Sequence, residues 1–195
     1  MPRAGDVIEN TMTGERAVFR STRHETGGEL LEADYYLSSG GYVAAAHVHP
    51  RQEETFEVLE GSVRIRIGGE DILAVPGQTY VVAPGTAHRI VNHTPATAHL
   101  YSTLRPAMRS DELLQTMWGL ASDGLTSERG IPKLLQAAAS GMYFRGELYL
   151  AGPPLWLQDL VFRLLAPLGR ARGYHGTYIA RSTGGARRSV SDRQE

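Results

Sequence analysis

The sequence predicts a mainly β protein, an antiparallel barrel or sandwich followed by about three α-helices. The 195 residues suffice for one domain of ordinary size with an appended region. Before Pro106, short apolar runs are separated by turns that contain Gly and Pro, which is typical of consecutive strands. After Pro106, Leu and Ala dominate and recur at helical spacing. The change in composition indicates a boundary near this proline.

The clearest strand is the segment 62–67, in which apolar residues and arginines alternate. The apolar residues lie on one face and the arginines on the other, as a half-buried strand requires. Gly68 and Gly69 then favour a tight hairpin, because glycine readily adopts positive φ angles. Eight further segments have the composition of strands, at 16–21, 30–37, 42–47, 54–59, 70–75, 79–82, 88–91 and 98–104.

The first two helices are predicted at 110–121 and at about 132–142. Ser110 is a favourable N-cap, and two acidic residues follow it in the first turn. Pro132 opens the second helix, where a missing backbone N–H costs little.

The third helix is predicted to begin after Pro153 and Pro154, and Pro167 is expected to kink or end it. Its apolar face consists of Leu157, Leu160, Val161, Leu164, Leu165 and Leu168. We interpret the apolar helix faces as core that covers one end of the barrel or as a dimer contact. The bolder interpretation is a lid that supplies apolar surface to a pocket.

The chain therefore divides into a β-barrel at 1–106, a helical extension at 107–180 and a tail at 181–195. The extension is expected to pack on the barrel or at a dimer interface. The tail is rich in Arg, Ser and Gly and has no apolar face, so we expect it to be disordered.

Composition excludes several classes of function. The formal net charge is −1, which gives no electrostatic reason to expect nucleic acid or an anionic membrane as partner. There are no cysteines, which excludes disulfides, thiolate nucleophiles and Cys-ligated zinc. The first ten residues lack an apolar run, and no segment approaches the ~18 apolar residues of a membrane span. We therefore expect a cytoplasmic protein that does not enter a membrane.

Histidines and acidic residues cluster in a pattern that predicts a metal site. His47 and His49 lie two apart on a predicted strand and project from one face. Glu53 and Glu54 begin the next strand beside them, and one of these carboxylates can complete the set. His88 follows a tight turn and offers a third imidazole. Three imidazoles and a carboxylate suit Mn, Fe, Co, Ni, Cu or Zn, whereas Ca and Mg prefer oxygen ligands.

At these residues the sequence resembles the cupin superfamily. The first cupin motif is Gly, five residues, His-x-His, three or four residues, Glu, six residues, Gly. It is matched at every position by Gly41, His47, His49, Glu54 and Gly61. The spacing of the motif selects Glu54 as the ligand in preference to the preceding glutamate.

The second cupin motif is Gly, five residues, Pro-x-Gly, two residues, His, three residues, Asn. It is matched by Gly77, Gly85, His88 and Asn92, and it departs at Ala83, where the motif has Pro. The departure at Ala83 affects the expected turn and does not change the assignment of His88 as a ligand.

The resemblance covers about 16–106 and implies a cupin-type double-stranded β-helix, a jelly-roll barrel related to RmlC-like proteins. It implies one divalent metal in the barrel interior, held by His47, His49, Glu54 and His88, with Fe, Mn, Ni or Zn as the expected ions. It also implies frequent dimerisation, so we expect a homodimer. It does not imply one reaction, since cupins include oxygenases, isomerases, cyclases and ligand sensors.

Seven further residues are candidates for the walls of a pocket: Gln52, Glu53, Phe56, Val58, Tyr42, Tyr80 and Tyr101. Phe56 and Val58 share the face of Glu54 by alternation, although we favour ordinary barrel core for both. Glu53 is interpreted as an exposed hairpin carboxylate. His93 and His99 fall outside the motifs and are interpreted as residues that do not bind the metal.

The leading functional hypothesis is a metal-dependent enzyme that acts on a small organic molecule, of dioxygenase, isomerase or cyclase type. Such a metal binds O₂ and substrate or acts as a Lewis acid, and Glu54 is the candidate catalytic base. The alternative is a small-ligand carrier or sensor with a saturated structural metal. A third hypothesis is an interaction protein whose C-terminal helices bind a partner.

Overall fold

The computed structural model describes residues 1–128 and 130–180. Over these residues the chain forms eleven strands and three helices. The strands are β1 (Val7–Asn10), β2 (Glu15–Ser21), β3 (Leu31–Leu37), β4 (Tyr42–Val48), β5 (Glu53–Glu60), β6 (Val63–Ile67), β7 (Glu70–Ala74), β8 (Thr79–Val82), β9 (His88–Val91), β10 (Ala98–Arg105) and β11 (Tyr149–Leu150). The helices are α1 (Ser110–Ser122), α2 (Leu134–Tyr143) and α3 (Leu155–Ala171).

The strands form two antiparallel sheets that face each other as a jelly-roll barrel. One sheet has the order β1-β2-β3-β10-β5-β8 and the other the order β11-β4-β9-β6-β7. The residues on the inner faces form one apolar cluster, whose fully buried members include Phe19, Leu31, Leu37, Ile65, Ile90 and Leu100. The mainly β jelly-roll prediction is therefore confirmed.

All nine strands predicted from alternation and turn residues are present. The hairpin after β6 is as short as expected, since Ile67 pairs with Glu70 and both Gly68 and Gly69 have positive φ. Two strands were missed. β1 lies at the edge of its sheet, and β11 has only two residues, Tyr149 and Leu150. A strand of two residues is too short for alternation to reveal.

The helices differ in detail from their predictions. Ser110 is the first residue of α1 and Arg109 occupies the cap position. The Ser110 hydroxyl accepts a hydrogen bond of 2.8 Å from the Gln52 amide, so it does not cap the helix. Pro167 was expected to kink or end α3, and it does not end it, because the helix continues to Ala171. Pro167 lies on the exposed face, where water can satisfy the carbonyl that loses its backbone donor.

The helices lie against the β strands and against one another. α1 contacts β1, α2 packs on α3, and β11 pairs with β4. The inner face of α3 is lined by small and polar residues, Gln158, Ala166 and Gly169, which are buried. Gly169 permits this close approach, because a Cβ there would lie 2.7 Å from the Leu135 carbonyl oxygen.

The leucine face predicted to be core in α3 is exposed in this chain. Leu164 is 69% exposed and Trp156 68% exposed, and Leu157, Leu160 and Leu168 are exposed with them. The interpretation as barrel core is therefore wrong for this face. The expected homodimer stays a prediction, and light scattering on the purified protein would measure it.

Two sequence predictions concern other parts of the molecule. The predicted tail at 181–195 lies outside the described residues. Among the helices of the described part, none combines the length and the apolar character needed to cross a membrane. The cytoplasmic location stays a prediction.

Candidate metal centre

Four side chains from both sheets meet inside the barrel. His47 is the penultimate residue of β4, His49 follows the strand directly, and His88 begins β9 in the same sheet, where it pairs with His47. Glu54 lies near the start of β5 in the opposite sheet. All four are buried, and one potential ligand atom from each lies within 4.8 Å of the others. The structure thus brings together the set that the cupin motifs select.

The closest contacts in this cluster involve Glu54. Its Oε2 atom lies 2.8 Å from His88 Nε2 and 3.5 Å from His49 Nε2. The rings of His47 and His88 have centroids 4.2 Å apart. Three nitrogen donors and one oxygen donor in so small a volume match the ligand preferences of first-row transition metals.

Each imidazole is held at its other nitrogen by a backbone carbonyl. The Nδ1 atoms of His47, His49 and His88 lie 3.0, 2.8 and 3.2 Å from the carbonyl oxygens of Ala45, Glu147 and Thr86. Donation from Nδ1 leaves Nε2 as the ligating atom and fixes the orientation of the ring. All three histidines therefore present the same nitrogen to the centre of the cluster.

Burial controls the protonation of the histidines. Burial, with the neighbouring His88 and His49, holds the pKa of His47 well below its usual range. Burial also lowers the pKa of His49, although the charge of Glu54 opposes this shift. For His88, burial lowers the pKa, but the hydrogen bond and charge of Glu54 outweigh it and leave the pKa raised. His47 and His49 are therefore neutral near pH 7, the form that binds metals.

The departure from the second motif does not disturb the turn. The Thr86 N–H donates to the Ala83 carbonyl at 3.1 Å, and Gly85 has φ of 82°. With Pro84 between them, this is a type II turn, which requires positive φ at its third residue. Ala83 occupies the first position, where no proline is needed.

Asn92, the last residue of the second motif, has a structural role. It is fully buried, and its amide donates to the carbonyls of Leu37 and Ala96 at 2.9 and 2.7 Å. Its Oδ1 atom accepts from Thr94. Asn92 therefore fixes the loop that follows β9 and is not a ligand.

A cavity of about 160 Å³ adjoins the cluster. His47, His49 and Glu54 form part of the lining, and residues of the region after β10, in the three helices and the segments that join them, form most of the rest. The cavity therefore lies between the barrel and the helical region. The lid interpretation of the helices agrees with this arrangement, since all three supply cavity surface.

None of the seven predicted pocket residues lines this cavity. Phe56 and Val58 are buried in the barrel core, as the favoured interpretation expected. The hydroxyls of Tyr42, Tyr80 and Tyr101 are bonded elsewhere, to Glu128, Gln78 and Glu32. Alternation along the strands describes the barrel alone, whereas most of the cavity lining comes from the region after β10.

Gln52 and Glu53 flank the cluster without entering the cavity. Gln52 is buried and donates at 2.8 Å to both the Pro106 carbonyl and the Ser110 hydroxyl, so it joins the barrel to α1. Glu53 is exposed, as predicted. His93 is exposed and His99 pairs with Asp34 at 2.8 Å, so both lie outside the cluster.

Two residues that the sequence did not single out are important here. Tyr35 on β3 lines the cavity, and its ring packs edge-on against Trp118 of α1. Burial, then the charges of Glu54 and Glu15, hold the pKa of Tyr35 well above its usual range. Glu147 orients His49 through its backbone carbonyl. No motif marks either residue, because both act through the helical region.

A second buried carboxyl, Glu15, lies next to the cavity. It accepts hydrogen bonds from Thr13 and Asn10, which both line the cavity. Its Oε1 atom is buried and has no hydrogen-bond partner among the described residues. Burial raises the pKa of Glu15 to about 8, against the lowering effect of these two hydrogen bonds. Glu15 is therefore protonated in the folded protein at neutral pH.

Glu15→Gln is expected to change how stability depends on pH. Between the ordinary pKa of 4.5 and the folded-state pKa of about 8, the folded protein keeps a proton that the unfolded chain releases. The contribution of Glu15 to stability is therefore complete below the lower value and is lost as pH rises through the higher one. The free energy of unfolding of the wild type should fall relative to the variant by about 1.4 kcal/mol per pH unit. Urea unfolding across this range measures the difference, and parallel profiles would contradict the assignment.

Comparison with known proteins identifies the barrel. Residues 35–104 match the family model described as the cupin domain. The resemblance found in the sequence is confirmed, and the chain carries a cupin domain, the class that its barrel and histidine motifs define. None of the curated proteins compared with the sequence matches it.

Several solved structures are similar over part of the chain. TT1209 from Thermus thermophilus is 29% identical over 40% of this chain and 74% of its own, with a TM-score of 0.39. A cupin-superfamily sugar phosphate isomerase from Silicibacter pomeroyi is 21% identical over 54% and 66%, with a TM-score of 0.44. A predicted oxalate decarboxylase from Thermotoga maritima is 18% identical over 54% and 98%, with a TM-score of 0.48.

Proposed function

We propose that this protein is a metal-dependent cupin enzyme that acts on a small organic molecule. The observation that carries the proposal is the cavity beside the four-residue cluster, since three of the four residues also line that cavity. A molecule in the cavity would contact the metal-binding side chains directly. Concave, largely apolar sites with a few convergent polar groups are typical of small-molecule sites.

The metal would be held by His47, His49, Glu54 and His88. When bound, a divalent transition metal supplies Lewis acidity toward a carbonyl or enol oxygen, or a binding site for O₂. This donor set fits Fe, Mn, Ni or Zn. Oxygenation, isomerisation and cyclisation are the reaction types to be tested.

The chain's own residues position the reacting groups and exclude water. The three backbone carbonyls at Nδ1 hold the imidazole rings, so little reorganisation is needed when the metal binds. Glu54 is the one carboxylate among the described residues that line the cavity. It lies beside His88, with 2.8 Å between its Oε2 and His88 Nε2, and as a cavity-lining carboxylate it is also the group placed to take a proton from a substrate.

The second candidate is a binding module with an inert metal. Four protein ligands suffice to close a tetrahedral zinc site, and the cluster contains four. Such a protein would hold a ligand in the cavity without converting it.

Cobalt-loaded protein distinguishes the two candidates. We expect about one metal ion per chain by elemental analysis after anaerobic reconstitution, and a visible Co²⁺ spectrum that shifts when azide is added, because an enzyme needs an exchangeable position. Turnover is then measured by mass spectrometry on Fe-, Mn-, Ni- and Zn-loaded samples with a panel of ketones, phenols and sugar phosphates. A spectrum indifferent to azide, without conversion of any compound, would favour the binding module. Failure to take up any metal would contradict both.

A further inference from the structure

Beyond the metal cluster, the lining of the cavity is mostly apolar. α1 contributes Leu113, Leu114, Met117 and Trp118, and aromatic rings come from Phe144 and Phe162. These side chains come from the region beyond the cupin domain, so they belong to this chain's own version of the site. Their chemistry favours an apolar ligand surface, because burial of such surface is worth roughly 25 cal/mol per Å².

The cavity provides no counter-charge for an anionic substrate beyond the cluster itself. Among the lining residues that the structure describes, there is no Arg or Lys, and the ionisable side chains are those of His47, His49, Glu54 and two tyrosines. A metal held there would balance the negative charge of a substrate oxygen bound directly to it. A phosphate or second carboxylate farther into the cavity would face hydrocarbon, and burial of an unpaired charge is strongly unfavourable.

Most polar side chains of the wall already have partners within the protein. The Gln158 amide bonds to Leu150 and Pro153, and the Tyr149 hydroxyl donates to Asp159 at 2.5 Å. The remaining polar groups engage in the same way: Asn10 and Thr13 donate to Glu15, Ser110 accepts from Gln52, and Ser140 accepts from Gln136. These side chains therefore have few donors or acceptors left to form hydrogen bonds with a substrate.

Tyr35 differs from these residues. It lines the cavity, and its ring packs on Trp118. Its hydroxyl makes no hydrogen bond to another described residue, and it is not one of the fully buried unpartnered atoms of these residues. It shares the cavity with Glu54. A buried tyrosine hydroxyl normally finds a partner, so an oxygen atom of a bound molecule is the natural acceptor.

We propose that the substrate is an uncharged, largely apolar molecule about the size of one substituted six-membered ring, whose oxygen accepts a hydrogen bond from Tyr35. The size follows from the cavity volume of about 160 Å³, since an apolar cavity of about 150 Å³ accommodates benzene. That the bound molecule is a substrate rests on the proposed function. Its uncharged, apolar character follows from the cavity lining and does not depend on the metal. Sugar phosphates and dicarboxylates are excluded by it.

The test compares two ligands of matched size on the zinc-loaded, full-length protein. p-Cresol and 4-hydroxybenzoate share a phenol ring and differ in a methyl group against a carboxylate. By titration calorimetry we expect p-cresol to bind at least about tenfold more tightly, a difference of about 1.4 kcal/mol. Glucose 6-phosphate should not compete with it. Equal or tighter binding of 4-hydroxybenzoate, or competition by the sugar phosphate, would overturn the inference.

Tyr35→Phe tests the hydrogen bond separately. We expect this variant to lose about tenfold in affinity for p-cresol and to keep its affinity for toluene, which has no oxygen. Tyr80→Phe is the matched control, since its hydroxyl bonds to Gln78 outside the cavity, and it should change neither affinity. Equal losses for p-cresol and toluene in the Tyr35 variant would assign it a packing role only.

Metal content and turnover measured on the same samples separate the two proposals. Selective p-cresol binding by protein that takes up no metal would contradict the proposed function and leave the cavity chemistry in place. Metal uptake with preferential conversion of charged compounds would contradict the cavity chemistry and leave the proposed function in place.

Discussion

Replacing His47 with alanine is expected to lower the affinity for divalent transition metals by more than about 100-fold. Loss of residues that merely orient a ligand costs up to about 100-fold, and His47 belongs to the cluster itself. With three donors remaining, water would occupy the coordination position that His47 fills in the wild type. Competition with a chromophoric chelator measures the affinity, and elemental analysis of the purified protein gives the occupancy.

The matched control for this variant is His93→Ala. His93 is an exposed histidine outside the cluster, so its loss should leave metal affinity unchanged. A His47 variant that binds metal as tightly as the wild type would show that the cluster is not the metal site.

Metal should also stabilise the wild type and not the variant. Glu54 comes from one sheet, and the three histidines lie on or directly after strands of the other, so a bound ion would connect the two sheets. At a free metal concentration 100 times the dissociation constant, the gain is about 2.7 kcal/mol. Thermal unfolding with and without metal measures this difference, provided that the ion does not bind the unfolded chain.

Deletion of 107–195 is the second change with a large expected effect: the isolated barrel should aggregate. Removal of the helices uncovers Tyr35 and Leu104, which are buried and line the cavity. It also removes β11, which pairs with β4 and thus leaves an open sheet edge. Exposed apolar surface and open edges both promote association between molecules. Solubility and size-exclusion profiles of the truncated protein measure the effect.

Two further variants show which part of the helical region matters. Deletion of 181–195 alone, outside the described residues, should leave a well-behaved protein. Trp118→Ala in the full chain should cost about 3–5 kcal/mol, because this residue is 4% exposed and packs against Tyr35. A soluble, cooperatively folded 1–106 fragment would instead show that the helices serve only a partner.

The barrel was predictable because its strands alternate and its turns have strong signals. The segment 62–67 displays the two-residue period, and Gly68-Gly69 mark the hairpin. The four cluster residues were predictable because the spacing of the two cupin motifs selects them, although β4 and β5 lie in opposite sheets and form no hairpin. These signals depend only on neighbours along the chain or across one turn.

The cavity was not predictable, because it depends on how the helices pack on the barrel. Leu113 and Leu164 both belong to leucine stripes of the same appearance. One is buried against the cavity, whereas the other is 69% exposed. Periodicity states that a helix has an apolar face, but it does not state what that face contacts. The roles of Tyr35 and Glu147 depend on the same packing.

The carbonyl of Glu147 that holds His49 has a consequence for the order of events during synthesis. The ribosome completes all four cluster residues before it reaches Glu147, and at roughly 5–20 residues per second several seconds separate the two. A nascent chain therefore carries the donor atoms before it has the carbonyl that holds His49 or the helix α3 that lines the cavity. An ion captured that early would meet an open, poorly ordered site, whereas the finished chain presents a shaped one. The timing of metal delivery in the cell, early or late, would thus influence which ion the mature protein retains.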